Sequence, residues 1–288
     1  MKMSEIKRVA VIGSGLMGRQ IALNSALYGY TVFLNDKNEE ALEKAKEWTV
    51  DYLNGRIAKG KLTQEHIDDV NKVLFFEPDI KLAVEDVDLV IEAIIEDRQI
   101  KFDFFKEVTE LVKPGTILAT NSSFMVSSLF KDAVREPELL ANFHYFNPAL
   151  VMKLVEVVKG EHTSMETVER LMDFARNTGK DPVFVMKEND GFLANSVLRA
   201  VSRKAMELYD EGIASYQDID TAVEKGLNYP MGPFRLMDLT GIDLAYLAAK
   251  RQQDETGERR PGIELLEKMY NEKKWGRKTG EGFYKYTK

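Results

Sequence analysis

The sequence predicts an α/β domain, a mostly parallel sheet covered by helices, followed by a smaller all-helical domain. Three observations predict it. Short apolar runs alternate with longer helical patterns through the first half of the chain, as strands and crossover helices do in a parallel sheet. A glycine-rich turn, Gly13-Ser14-Gly15-Leu16-Met17-Gly18, stands directly between the first apolar run and the first helix. From Gly191 onward the apolar residues Leu193, Val197, Leu198, Val201, Ala205 and Leu208 fall mainly at spacings of three and four, and no strand pattern returns before the tail.

The elements follow in order. Residues 9–12 read as a buried strand, and residues 16–28 as a helix closed by Gly29. Residues 31–34 make a second strand. Residues 39–59 then place Leu42, Ala45, Thr49, Tyr52, Leu53 and Ile57 at helical spacing. Further strands are expected at residues 73–76, 89–94, 117–120 and 140–143, with a helix over 98–112 and a Pro114-Gly115 turn. Residues 154–158 are another apolar run, 165–177 a helix ended by Gly179, and 183–186 the last strand. In the helical half, Gly212, Gly226, Pro230, Pro233, Gly257 and Pro261 separate the helices. The expected division is therefore a first domain of residues 1–187 and a second of 188–288.

Composition excludes several functions. The chain has 288 residues and no cysteine, which removes disulfides, Cys-ligated metal centres and thiolate nucleophiles. Its 40 Lys and Arg against 47 Asp and Glu leave a net charge of −7 without a basic stripe, so nucleic acid is not an expected partner. No apolar stretch approaches the ~20 residues of a membrane span. The run at residues 9–12 is shorter than the roughly 7–15 apolar residues of a secretory signal. A soluble, cytoplasmic protein without a metal site is expected.

The glycine turn carries the first functional signal. G-x-G-x-x-G is weak alone, but here it follows a strand and opens a helix. Backbone N–H groups at that helix N-terminus can meet a pyrophosphate, with Gly13, Gly15 and Gly18 allowing a tight turn and close approach, and Leu16 and Met17 beginning the helix. Asp36 stands eighteen residues beyond Gly18, at the end of the second strand, where a carboxylate accepts ribose hydroxyls. The first domain thus reads as Rossmann-type and dinucleotide-binding. The acid favours NAD over NADP, although Lys37 softens that preference and FAD uses the same loop.

Hydride transfer from an alcohol needs a base, and a histidine suits neutral pH. Of three histidines, His66 and His162 lie in polar stretches that suggest solvated surface. His144 lies in Asn142-Phe143-His144-Tyr145-Phe146-Asn147-Pro148, at the end of an expected strand, where open parallel sheets place ligands. A satisfied core histidine is the alternative. Glu156 sits in the apolar run Leu154-Val155-Glu156-Val157-Val158, where a carboxylate is costly unless paired. A neighbouring imidazole would be a fitting partner; an edge-strand glutamate facing water is the other reading.

Taken together these residues resemble the L-3-hydroxyacyl-CoA dehydrogenases, especially the short bacterial 3-hydroxybutyryl-CoA dehydrogenases of fatty acid metabolism. The resemblance runs over nearly the whole chain: the glycine turn, Val90-Ile91-Glu92-Ala93-Ile94-Ile95-Glu96, Asn121-Ser122-Ser123, His144-Tyr145-Phe146-Asn147-Pro148 and Met152-Lys153-Leu154-Val155-Glu156-Val157. It continues through Gly191-Phe192-Leu193-Ala194-Asn195, Pro230-Met231-Gly232-Pro233-Phe234 and Gly276-Arg277-Lys278-Thr279-Gly280-Glu281-Gly282-Phe283-Tyr284. It implies an NAD-dependent oxidation of (S)-3-hydroxyacyl-CoA to 3-oxoacyl-CoA, or the reverse, with His144 as general base and Glu156 paired to it. It further implies that Ser123 and Asn195 hydrogen-bond the substrate oxygens. Glu96, Lys101, Asn147 and Lys278 would line the nicotinamide side, and the helical domain would form a homodimer and close over the acyl-CoA.

Each of these residues has a plainer alternative. Ser123 can be a helix cap, Asn195 a surface amide, Glu96 a first-turn acid, and Lys101 and Lys278 solvated lysines. An acyl-CoA partner needs local cations; Arg56, Lys59 and Lys61, near the end of the long first-domain helix, are the candidates, with simple helix-end placement as the alternative. The chain departs from the family pattern at Asp190 before Gly191, Ser196 after Asn195, Phe124 after Ser123, and Tyr145 after His144. Arg199 lies about one helical turn beyond Ser196. Two other readings stay open: a dehydrogenase of a free hydroxy or sugar acid, as in gulonate dehydrogenase relatives, and a non-catalytic NAD(H)-binding protein.

Overall fold

The apolar runs become strands of one eight-stranded sheet in the computed structural model, which describes residues 5–286. They are β1 (Arg8–Ile12), β2 (Thr31–Asn35), β3 (Leu74–Phe76), β4 (Leu89–Glu92), β5 (Ile117–Thr120), β6 (Leu140–Tyr145), β7 (Leu154–Val158) and β8 (Asp181–Val185), ordered β3-β2-β1-β4-β5-β6-β7-β8. Every neighbouring pair is parallel except β6 and β7, which run antiparallel. The central strands β4, β5 and β6 are buried along their whole length, which is why they read as continuous apolar runs and not as alternation.

Helices cover both faces. Val9, Val11, Ile21, Leu23, Leu53 and Phe174 belong to one core, with α1 (Leu16–Leu27), α2 (Glu39–Ala58), α3 (Gln64–Val73) and α6 (Met165–Asn177). Ala10, Ile12, Phe104, Phe105 and Val108 belong to the other, with α4 (Ile80–Val84) and α5 (Arg98–Leu111). Neither α3 nor α4 was expected. Helix α3 is short and exposes most of its surface, and its start is fixed by a reciprocal capping box between Thr63 and His66 that supplies what hydrophobic periodicity does not. Strand β8 starts two residues before the expected position, because β7 pairs with it in register from Leu154 opposite Asp181.

The chain divides into two units, one ending at Leu193 and the other beginning at Ala194. Residues 188–193 stay with the sheet for identifiable reasons. Glu188 Oε1 accepts from Ser127 Oγ at 2.8 Å and from the Ser128 amide at 2.9 Å, Phe192 is buried with Val158 and Val185, and the Leu193 amide donates to Glu156 Oε1 at 3.0 Å.

The second unit contains α7 (Ala194–Asp210), α8 (Tyr216–Gly226), α9 (Pro233–Thr240), α10 (Ile242–Thr256) and α11 (Ile263–Asn271), around a core that includes Met206, Phe234, Met237, Ile242, Leu266 and Phe283. Its tail is tied down by a buried carboxylate. Asp238 accepts from the Phe283 and Tyr284 amides and from Tyr286 Oη, each at 2.9 Å. Gly276 is required there: a Cβ would stand 2.2 Å from the Asp238 carbonyl, and its φ is +91°. Asp238→Ala leaves three donors unmet at ~1–3 kcal/mol each when buried, so urea unfolding followed by circular dichroism should show a loss of about 3 kcal/mol or more. A loss below about 1 kcal/mol would mean water replaces the carboxylate freely.

Candidate active site

The glycine turn at the carboxyl end of β1 contains three glycines with different tasks. Gly13 has φ +101°, and a Cβ on it would lie 2.5 Å from the Ala93 carbonyl oxygen. A Cβ on Gly18 would lie 1.7 Å from the Gly13 carbonyl oxygen, so this glycine lets α1 sit against the turn. Gly15 has an ordinary φ of −62° and nothing within 4 Å of a built Cβ. Protein packing does not require it to be bare. It is the N-cap of α1 without a capping side chain, so the helix presents amides to an open space where a pyrophosphate fits. Leu16 beside it is exposed, while Met17 packs on the core. Asp36, at the end of β2, accepts from the Ser14 amide at 2.8 Å, from Ser14 Oγ at 2.9 Å and from the Asn38 amide at 2.9 Å. The expected ribose-binding acid is thus held rigidly against the turn, and the residues present fit a dinucleotide.

His144 lies at the carboxyl end of β6, on the same edge of the sheet as the glycine turn. The antiparallel register sets it directly opposite Glu156 on β7, and paired residues of adjacent strands project to the same face. The result is a hydrogen bond of 2.8 Å between His144 Nδ1 and Glu156 Oε2. Glu156 is 0% exposed and flanked by β6 and β8, which removes the edge-strand reading. Its other oxygen takes the Leu193 amide. On the far side of the ring, Ser123 Oγ lies 2.8 Å from His144 Nε2. Phe146 and Phe192 pack on the imidazole at centroid distances of 4.5 and 5.5 Å. Against an ionised carboxylate, which only accepts, Nδ1 is the donor to Glu156 and Nε2 faces Ser123 Oγ as the acceptor. Such a chain either activates a serine nucleophile or takes a proton from a bound hydroxyl.

A second polar group lies between the turn and the histidine. Lys101 is 1% exposed. Its ammonium faces Glu92 Oε1 at 2.5 Å and Glu96 Oε2 at 3.1 Å, so it is not a solvated lysine. Thr120 Oγ1 donates to Glu92 at 2.7 Å and Ser122 Oγ donates to Glu96. Burial lifts the Glu92 carboxyl above the ordinary range against the pull of Lys101. Asp97, not Glu96, caps α5, accepting from the Ile100 amide at 3.0 Å. Glu96 itself remains exposed towards the sheet edge.

The remaining expected residues are more dispersed. Asn147 is exposed just past β6, and Lys59 is an exposed C-cap of α2. Asn195 stands in the first turn of α7, and Lys278 lies in the 3-10 turn Arg277–Thr279 with its ammonium 2.6 Å from Asp243 Oδ2, both in the helical unit. Phe124 is exposed and Tyr145 buried. His66 is exposed as expected, whereas His162 is half-buried beside Ser127 and Glu188, where burial holds its imidazole below the usual range. Sequence reading passed over Lys180, whose buried ammonium donates to the carbonyls of Ala149 and Met152 and so braces the loop carrying Asn147. Burial pushes that ammonium down to about 8. A lysine among 40 cations carries no mark of burial in the sequence.

Fold and site together define a dinucleotide-binding oxidoreductase. Residues 8–189 match the NAD binding domain of 3-hydroxyacyl-CoA dehydrogenase, and residues 191–286 match its C-terminal domain. The chain belongs to the 3-hydroxyacyl-CoA dehydrogenase family of NAD-dependent oxidoreductases. It is 38% identical to human mitochondrial hydroxyacyl-coenzyme A dehydrogenase over 289 residues, covering 98% of this chain and 91% of that one. It is 37% identical to the 3-hydroxybutyryl-CoA dehydrogenase of Clostridioides difficile over 286 residues, covering 98% and 100%. The crystal structure of (S)-3-hydroxybutyryl-CoA dehydrogenase from Ralstonia eutropha superposes with a TM-score of 0.89 at 29% identity, covering 99% of this chain and 100% of that one.

Proposed function

We propose that the protein interconverts (S)-3-hydroxyacyl-CoA and 3-oxoacyl-CoA, with 3-hydroxybutyryl-CoA as the preferred chain length. The single observation that carries the reading is the Ser123–His144–Glu156 chain at the sheet edge that holds the dinucleotide turn. Bound NAD supplies the hydride acceptor. In the oxidative direction His144 Nε2 takes the proton of the 3-hydroxyl. Glu156, already bonded to Nδ1, stabilises the imidazolium that forms and fixes the ring plane. Ser123 Oγ then holds the substrate oxygen as carbonyl character develops. Phe146 and Phe192 exclude water from the ring.

The other assignments belong to the same proposal. Glu96 and Asn147 line the nicotinamide side, and Lys101 acts there by holding Glu96 in place. Asn195 as a substrate donor, Lys278 as a cofactor contact and Lys59 as a CoA contact rest on the family resemblance. Short-chain preference is supported by the likeness to the two 3-hydroxybutyryl-CoA dehydrogenases, and a cytoplasmic location goes with water-soluble reactants. Among the described residues no helix is long and apolar enough to cross a membrane.

The test is NADH oxidation with acetoacetyl-CoA against longer 3-oxoacyl-CoAs and free acetoacetate. The expected order is acetoacetyl-CoA first and the free acid last; equal or faster turnover of the free acid would overturn the CoA assignment. Two chains are proposed to pair through the helical unit, where Leu239, Leu244 and Leu247 are exposed along α9 and α10. Light scattering should report a dimer for the wild type and a monomer for Leu244→Glu combined with Leu247→Glu. A wild-type monomer, or a dimer that survives both changes, counts against that pairing.

A further inference from the structure

The helical unit holds an open pocket of about 350 Å³ whose lining includes none of the residues assigned above to catalysis or cofactor binding. Met206, Leu236, Met237 and Leu266 give it an apolar wall, and Arg199, Arg203 and Arg260 line it beside them. No Asp or Glu is in the lining among the described residues, although acids outnumber bases by seven in the chain as a whole. Arg260 is the telling member. Its side chain is 9% exposed, and its Nε is shut off from solvent with no hydrogen-bond partner. Burial, reinforced by the like charges of Arg203 and Arg199, holds its guanidinium below the usual arginine range, with Glu258 the acid that opposes them. The Arg260 guanidinium, buried against an apolar wall and repelled by the like charges of Arg203 and Arg199, is poorly solvated, so an anion beside it is favoured twice over.

We propose that this cavity binds a carboxylate amphiphile, a free fatty acid of medium chain length, with its head on Arg260 and Arg203 and its alkyl chain on the methionine and leucine wall. Size supports this class. The pocket lies at the small end of ligand pockets, ~300–1,000 Å³, which suits an unbranched chain. The apolar wall needs an alkyl body, which a bare inorganic anion lacks. The exposed Leu239, Leu244 and Leu247 lie outside the lining, so they compete with the ligand for none of its contacts.

Titration calorimetry of the full chain with decanoate and with decanol tests the proposal. Decanoate should bind one per chain, at least about tenfold tighter than decanol, the value of one charge-assisted hydrogen bond. Arg260→Gln should erase the difference between the two probes. Arg203→Glu should do the same without threatening the fold, because Arg203 is exposed, and it decides the matter alone if Arg260→Gln does not fold. No binding at about 1 mM, equal affinity for decanol, or unchanged decanoate affinity in Arg203→Glu would each overturn the site. Binding to the catalytic cleft instead would appear as that last outcome.

Discussion

His144→Gln should lower kcat for acetoacetyl-CoA reduction by about 10³-fold, within the ~10²–10⁴ range of general acid–base catalysis, and leave the KM for NADH unchanged. The glutamine amide can still bond to Ser123 and Glu156, so the packing around Phe146 and Phe192 has no reason to collapse. What it lacks is a nitrogen that exchanges a proton near neutral pH. Glu156→Gln should cost less, about 10²-fold, since the ring keeps its basic nitrogen but loses the carboxylate that fixes its plane and stabilises its charged form. Stopped-flow turnover with saturating NADH separates these effects from cofactor binding. A His144→Gln enzyme within about tenfold of wild type would remove the histidine from the chemistry.

The serine in this chain gives the prediction its discriminating power. Ser123 Oγ, His144 and Glu156 are ordered as they would be for a nucleophilic serine. As a nucleophile Ser123 would be indispensable, and Ser123→Ala would abolish turnover as thoroughly as His144→Gln. As a hydrogen-bond donor to the substrate oxygen it contributes one interaction, and Ser123→Ala should retain measurable activity, with a loss of about 10²-fold. The dinucleotide turn on the same sheet edge favours the second outcome.

Legibility in the sequence followed the range of the interactions. The glycine turn is local: six consecutive residues and an acid eighteen positions later state its chemistry, and the structure adds only which glycine does what. His144 and Glu156 are twelve residues apart, and both were noticeable as polar groups in apolar runs. That they meet depends on the antiparallel step from β6 to β7, which no residue pattern announces, since periodicity gives strand identity but not direction. Lys101 was harder still. Nothing local distinguishes a lysine enclosed by two glutamates from a solvated one, and its burial arises because Glu92, at the end of β4, and the first turn of α5 converge on it. Helix α3 was missed for the opposite reason. Its signal is local but lies in a cap pairing of Thr63 with His66, where a Glu or Gln is the usual third-position partner.

Gly15 and Gly18 should respond to substitution in opposite ways. At Gly18 an alanine Cβ would stand 1.7 Å from the Gly13 carbonyl oxygen, an overlap with backbone that no rotamer relieves. Alanine's better helix propensity returns only ~1 kcal/mol against an overpacking cost of about 3 kcal/mol, so Gly18→Ala should unfold at lower urea and lose cofactor binding with the turn. At Gly15 there is no neighbour within 4 Å and φ is −62°, so Gly15→Val keeps its stability or gains slightly from a stiffer unfolded chain. Its branched side chain instead fills the space into which the α1 amides point, and the KM for NADH should rise on the order of 100-fold while the melting curve stays in place. The pair separates two explanations of a glycine-rich motif that sequence alone cannot. If Gly15→Val left the KM for NADH unchanged, the bare backbone would be serving the turn and not a phosphate; if Gly18→Ala left stability unchanged, the close approach of α1 to β1 would be softer than the geometry demands.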